Sequence, residues 1–194
     1  MKVAILKYNA GNTASVSNAL ERLGVTPVIS DDAEALRSAD KVIIPGVGEA
    51  STAMTHLRDR GLDAVLCSLQ QPVLGVCLGM QLMCVASEEN DTECLGIFPY
   101  RVRRFTTNGM KVPHMGWNTI SDLRSSLFDG VAQNRYLYFV HGYFAEAGEQ
   151  TTATCNYGDC FSAAISRGSF HGVQFHPEKS GAVGQTILEN FLKL

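Results

Sequence analysis

Short, continuously apolar runs alternate with helical patterns over the first 76 residues, and that rhythm restricts the fold more than anything else in the chain. "KVAIL" (2–6), "VTPVIS" (25–30), "KVIIP" (41–45) and "PVLGV" (72–76) read as strands. Runs that are apolar at nearly every position need cover on both faces, which a parallel sheet between helices provides. Asn12 or Thr13 can cap a helix that puts Val16, Ala19, Leu20 and Leu23 on one face, and Gly24 is placed to end it. Asp31 or Asp32 can cap the next helix. Two further helical stretches, 50–60 and 62–69, precede the fourth strand, and Pro27 suits the second strand to a sheet edge.

After Leu95 the pattern changes. "GIFPYRVRRF", "KVPHMGWNTI", "RYLYFVHGYF", "QTTATCNYG", "FSAAISR" and "FHGVQF" are strand-like and joined by short polar turns, before a last helix from about 181 to 192. The expected fold is α/β: an open, mostly parallel sheet with flanking helices, plus additional antiparallel strands in the C-terminal half. No repeat, low-complexity tract or linker divides the 194 residues, so 1–194 reads as a single domain able to bury its own core.

The net charge of −3 and the lack of any basic run argue against a nucleic-acid surface. Only four consecutive apolar residues, 3–6, precede Lys7, too few for a signal-peptide core, and no later segment approaches a membrane span. The expected address is cytoplasmic, where thiols stay reduced. The six cysteines (Cys67, Cys77, Cys84, Cys94, Cys155 and Cys160) form no CxxC pair and sit near no ligand-spaced histidine. That argues against a metal site or a disulfide framework.

A buried thiol is ordinarily a small hydrophobe, so chemistry at any of the six must be argued from its surroundings. Cys77 stands where the "PVLGV" strand meets a helical pattern, with Gly75 and Gly79 two residues to either side. Gly-x-Cys-x-Gly at a strand-to-helix reversal has the form of a nucleophile elbow, which lifts the side chain out of the sheet. The helix behind it favours an anion at its amino end, and the N–H of Leu78 can point at an oxyanion. The other five cysteines lack such a setting and read as core thiols.

A nucleophilic thiol needs a base and a group that orients the base. In "GVQFHPEKS", His176 follows a strand directly, and Glu178, two residues on in an extended segment, can reach the imidazole from behind. A lone His-Pro-Glu is an ordinary surface turn; paired with the elbow, it completes a Cys77–His176–Glu178 triad. "IIPGVGEA" (43–50) follows another strand end, so its backbone N–H groups can supply the second half of an oxyanion hole on the same rim.

Together these segments resemble the class I (triad-type) glutamine amidotransferases. The resemblance implies that Cys77 attacks the side-chain amide of glutamine, with His176 as general acid/base, Glu178 as its orienter, and ammonia and a glutamyl thioester as products. It implies an oxyanion hole at Val47, Gly48 and Leu78. It implies a glutamine subsite at Gly46, Gln81, Glu89, His141, Gly142 and Tyr143, carried by "CLGMQ", "SEE" and "HGY". No cofactor is implied.

Within that family, "VPHMGWN" (112–118) and "YFVHGY" (138–143) are similar to the glutaminase subunits of imidazole glycerol phosphate synthases. That likeness implies a heterodimer in histidine biosynthesis. Its partner would be a (β/α)8-barrel cyclase that receives the ammonia and makes imidazole glycerol phosphate and AICAR from a bound nucleotide. Met115, Trp117, Tyr138 and Lys179 are the implied contacts; for Trp117, the only tryptophan, a core role is also open. An amidotransferase serving another synthase, a non-catalytic regulatory module and a γ-glutamyl hydrolase are the alternatives. The chain departs from the family at "KYNAGN" (7–12), where Lys7 and Asn9 replace an aspartate and a glycine, and at Gly142, where serine or threonine is common.

Overall fold

The computed structural model describes residues 1–9, 12–106 and 109–194. Its first half alternates as the apolar rhythm predicts: β1 (Val3–Leu6), α1 (Thr13–Arg22), β2 (Val28–Ser30), α2 (Ala33–Arg37), β3 (Lys41–Ile44), α3 (Ala50–Asp59), α4 (Leu62–Ser68), β4 (Val73–Val76) and α5 (Leu78–Leu82). The caps follow local chemistry. Asn12 Oδ1 accepts from the Ser15 N–H and Asp32 Oδ1 from the Ala35 N–H, each satisfying a helix-start donor. Gly24, at φ +78°, takes the left-handed turn after α1.

The second half holds β5 (Ala86–Ser87), β6 (Thr92–Glu93), β7 (Arg101–Arg104), β8 (His114–Ile120), β9 (Arg135–His141), β10 (Tyr143–Ala145), β11 (Thr151–Tyr157), β12 (Asp159–Arg167), β13 (Phe170–Val173) and α6 (Gly181–Lys193). The main sheet has seven strands in the order β11-β12-β13-β4-β3-β1-β2. From β13 to β2 it is parallel; β12 and β11 join antiparallel, and β2 is an edge as Pro27 suggested. A four-stranded sheet, β10-β7-β5-β6, and the hairpin β8–β9 lie beside it. "GIFPYRVRRF" pairs over Arg101–Arg104 alone.

Alternation along each buried strand supplies two cores. Ala4, Leu6, Val42 and Ile44 face Met54, Leu57 and Leu66 of α3 and α4. Val3, Ile5 and Ile43 face Val16 and Leu20 of α1 and Ile187 and Phe191 of α6. Among the described residues no helix is long and apolar enough to cross a membrane.

Strands β3, β4 and β13 are parallel neighbours, with Ile44 and Gly172 both registered on Gly75. The segments leaving their carboxyl ends, 45–48, 77–78 and 174–178, therefore emerge on one rim, where open α/β sheets carry their sites.

Candidate active site

Cys77 takes φ +49° and ψ −107°, a backbone state that costs a residue with a side chain about 1–3 kcal/mol. Hydrogen bonds on both sides hold it there. Its N–H donates to the Val173 carbonyl at 2.7 Å, and its carbonyl accepts from the Gln81 N–H at 3.1 Å. The flanking glycines do not carry the unusual dihedral; they make room. A Cβ on Gly79 would strike the Ile44 carbonyl, and one on Gly75 would strike the Gly79 backbone. A Cβ on Gly46 would strike the Val76 carbonyl and the Leu78 N–H, so the 45–48 loop lies directly against the elbow.

His176 and Glu178 meet as expected but by another local geometry. Residues Pro177–Lys179 form a 3-10 turn rather than an extended segment, because Pro177 opens a helical turn that the Lys179 N–H closes on the His176 carbonyl at 3.1 Å. The turn brings Glu178 Oε1 to 2.8 Å from His176 Nδ1, with both side chains 2 % exposed. Burial works against charge on this ring. Cys77 and Glu178 outweigh it, and the imidazole is raised from 6.5 to about 10. Its Nε2 is buried without a hydrogen-bond partner, as is Glu178 Oε2. The Cys77 sulfur thus stands near enough to favour the charged ring.

A cleft of about 280 Å³ opens over the sulfur. Gly46, Val47, Gly48, Cys77, Leu78, Gln81, Glu89, His141, Gly142 and Tyr143 line it, so every expected oxyanion and glutamine-subsite residue borders one cavity. Pro113 and Val140 complete the lining and were not anticipated. Glu89 spends Oε2 on the Ala50 N–H at 2.8 Å, capping α3, and its carboxyl is raised, chiefly by burial. Another cleft, about 600 Å³, includes Leu69, Arg167 and Phe170 at the opposite ends of the strands, far from the triad.

Tyr8, Gln174 and His114 were not anticipated as site residues, because nothing in their spacing marks them as functional. The Tyr8 hydroxyl, buried, donates to the Pro45 carbonyl at the base of the 45–48 loop, and its phenol is raised by burial and then by Cys77. Gln174, fully buried, donates from Nε2 to the Cys77 sulfur at 3.5 Å. His114 and His141 form a buried pair, Nδ1 to Nε2 at 3.0 Å. Because His141 Nδ1 faces the Tyr143 carbonyl at 2.8 Å, it carries the proton, and its Nε2 accepts from His114 Nδ1. His114 Nε2 then accepts from Asn118 Nδ2 at 3.3 Å. Burial lowers His141 to about 3 and His114 to about 4.

Beside the cleft, Met115, Trp117 and Tyr136 are exposed on the β8–β9 hairpin. Trp117 is registered against Tyr138, their rings edge to face at 6.0 Å, and Lys179 Nζ lies 6.0 Å over the Tyr138 ring. At 56 % exposed, Trp117 is a surface residue and the core reading fails for it. The Tyr138 carbonyl accepts from the His176 N–H at 2.9 Å, tying this platform to the triad. Of the atypical "KYNAGN" loop, Ala10 and Gly11 lie outside the described residues. Asn9 Nδ2 donates to the Thr52 carbonyl at 3.3 Å.

The remaining cysteines divide. Cys84, Cys94 and Cys155 are buried, and burial raises all three, Cys94 to about 11 and Cys155 to about 12. Cys67 and Cys160 are exposed, a correction to the core reading. Cys67 lies in the last turn of α4, and Cys160 pairs with Asn156 next to the β11–β12 turn.

Known proteins are similar to this chain in sequence and in fold. Imidazole glycerol phosphate synthase subunit HisH of Bacteroides fragilis (strain YCH46) is 56% identical over 196 residues, spanning 100% of both chains. The proteins of the same name from Shewanella loihica and Yersinia pseudotuberculosis are 48% and 46% identical, covering 98% and 100% of this chain and 89% and 100% of theirs. Among solved structures, a glutamine amidotransferase superposes with a TM-score of 0.77 at 19% identity, over 98% of this chain and 97% of that one, a likeness of fold. The family model for glutamine amidotransferase class-I matches residues 4–194, and the chain belongs to that family.

Proposed function

We propose that this chain is the glutaminase subunit of an imidazole glycerol phosphate synthase, working as a single cytoplasmic amidotransferase domain over 1–194. The observation that carries the reading is the buried His176–Glu178 pair beside a strained Cys77 at the floor of the 280 Å³ cleft. The full-length likeness to synthase subunits supports the choice of pathway over another synthase, a regulatory module or a γ-glutamyl hydrolase.

In the reaction, the Cys77 thiol gives its proton to His176 Nε2, and the resulting thiolate attacks the side-chain carbonyl carbon of glutamine, the C=O π electrons moving onto oxygen. The N–H groups of Leu78 and the Val47–Gly48 loop stabilise the oxyanion, each donor worth about 3 kcal/mol of barrier. His176, charged at neutral pH and held through Nδ1 by Glu178, gives its Nε2 proton to the departing nitrogen, releasing ammonia and leaving the glutamyl thioester. Water, deprotonated by the now neutral ring, attacks the thioester; the C–S bond breaks with its electrons on sulfur, and glutamate leaves. Gln81, Glu89 and the His141–Tyr143 backbone hold the substrate's amide and amino-acid ends.

Free ammonia would be protonated and lost in water, so the product has to pass under a seal. Met115, Trp117, Tyr138 and Lys179 supply an apolar and cationic surface of the kind that docks a partner, the (β/α)8 cyclase. Two assays test the reading. Glutaminase turnover is expected to be low for the chain alone and to rise with the nucleotide-loaded cyclase, as docking shifts the Val47 loop toward a complete oxyanion hole. Cys77→Ala should abolish glutamine-dependent synthesis, by about four orders of magnitude or more, while synthesis from added ammonia persists. Equal turnover with and without partner rejects the coupling; loss of ammonia-dependent synthesis as well assigns the thiol to assembly.

A further inference from the structure

Gln174 stands outside the triad and outside the cleft lining, yet its side chain is committed to both. It is fully buried behind the elbow, its backbone N–H held by the Ala163 carbonyl at 2.9 Å. Its amide makes two hydrogen bonds of opposite sense. Nε2 donates to the Cys77 sulfur at 3.5 Å, and Oε1 accepts from Gln81 Nε2 at 2.9 Å. Gln81 Nε2 also donates to the Tyr143 carbonyl at 2.8 Å.

An amide nitrogen has two hydrogens, and both of Gln81's are thereby used. The atom Gln81 has left for the cleft is Oε1, an acceptor. A glutamine carboxamide offers N–H donors to such an atom, whereas the carboxylate of glutamate offers only oxygens that repel it. We propose that Gln174 is a further residue of the reaction centre, donating to the nucleophilic sulfur and fixing Gln81 so that the cleft accepts an amide and rejects the carboxylate product. This rests on the glutaminase reading above.

The two roles act at different moments. The Gln174 N–H favours negative charge on sulfur, both before attack and when the thioester C–S bond breaks with its electron pair on sulfur. The Gln174 carbonyl acts through Gln81, throughout binding. Without the first, the resting thiol is less nucleophilic. Without the second, Gln81 can rotate, present its NH2 and hold glutamate as readily as glutamine.

Two substitutions separate them. Gln174→Met, of similar length and without polar atoms, removes both bonds; Gln174→Glu keeps an oxygen to accept from Gln81 but replaces the donor to sulfur. The readouts are the rate of iodoacetamide alkylation of the Cys77 peptide at pH 7, followed by mass spectrometry because exposed Cys67 and Cys160 also react, and the ratio of glutamate Ki to glutamine KM. In Gln174→Met, alkylation should slow about tenfold and the ratio fall about tenfold, as expected for losing one bond at each place. In Gln174→Glu, alkylation should slow while the ratio holds.

A folded Gln174→Met with wild-type alkylation and ratio overturns the proposal. If circular dichroism shows that variant unfolded, Gln174→Glu carries the test, and an unchanged alkylation rate overturns it. Cys77→Ala in the same assay keeps the two readings apart. Retained glutaminase activity there refutes the function itself, whereas an inactive Cys77→Ala beside an unaltered Gln174→Met refutes only this inference.

Discussion

Two buried histidine clusters stand near one another beside the elbow and take opposite charge states. His176 has a carboxylate at 2.8 Å and the Cys77 sulfur nearby, and it is raised to about 10. His114 and His141 have each other, a carbonyl and an amide, and burial lowers them to about 4 and about 3. Burial penalises the charged ring in both clusters. The difference is the Glu178 carboxylate and the Cys77 sulfur beside His176, so one cluster can donate a proton at neutral pH while the other serves as a neutral, directional scaffold. That scaffold ends on the Tyr143 carbonyl, which also receives Gln81. The inert pair therefore shapes the cleft wall in which the reactive pair works.

Removing the carboxylate should collapse the contrast. In Glu178→Gln the His176 titration midpoint should move down from about 10, as burial acts with less opposition, and kcat should fall about 10²- to 10⁴-fold. Histidine ring resonances followed by NMR across pH, together with steady-state kinetics, check both. A ring still charged at high pH in the variant would show that Cys77 alone sustains it.

Acid should expose the contrast through stability. His114, His141 and His171 are held neutral by burial, at about 4, 3 and 4, while the unfolded chain protonates them near 6.5. Below 6.5 the unfolded state binds more protons, so their contribution to stability drains away as pH falls toward 4. His176 has the reverse sign: its contribution is complete below 6.5 and lost as pH rises through about 10. Urea unfolding at stepped pH should therefore show decline at both ends, steeper on the acid side where three groups act together.

The smallest effect is expected at the end of the neutral chain. Asn118→Ala leaves His114 Nε2 without its donor and should cost about 1 kcal/mol, read as a fall of about 2–4 °C in Tm. Because the triad is untouched, the kcat loss should be minor beside that of Glu178→Gln. A comparable loss would mean that the His114–His141 pair takes part in proton transfer.

Much of this molecule was legible in one dimension. Continuous apolar runs can satisfy both faces only inside a helix-covered parallel sheet, so the architecture and the rim followed from "KVAIL", "KVIIP" and "PVLGV" alone. Gly-x-Cys-x-Gly at a strand end and His-x-Glu after another strand carried their own chemistry, and the family likeness extended them to the cleft lining. Gln174, Tyr8 and the His114–His141–Asn118 chain were not legible. A glutamine, a tyrosine or an asparagine has no spacing that marks it as functional. Gln174, Tyr8 and His114 find their partners at least 27 residues away, and the Asn118 contact gains its meaning only when the hairpin sets His141 beside His114.

The amino-acid sequence by itself determined which elements form, which cysteine sits on a reversal and which histidine has a carboxylate two residues on, since those depend on local periodicity and steric allowance. Only the tertiary structure decided that Trp117 faces solvent, that Cys67 and Cys160 lie outside the core, and that a 3-10 turn closes His176 on Glu178. It also decided the charge on each histidine. Desolvation and Coulomb interactions depend on what surrounds an atom in space, and those surroundings come from distant parts of the chain.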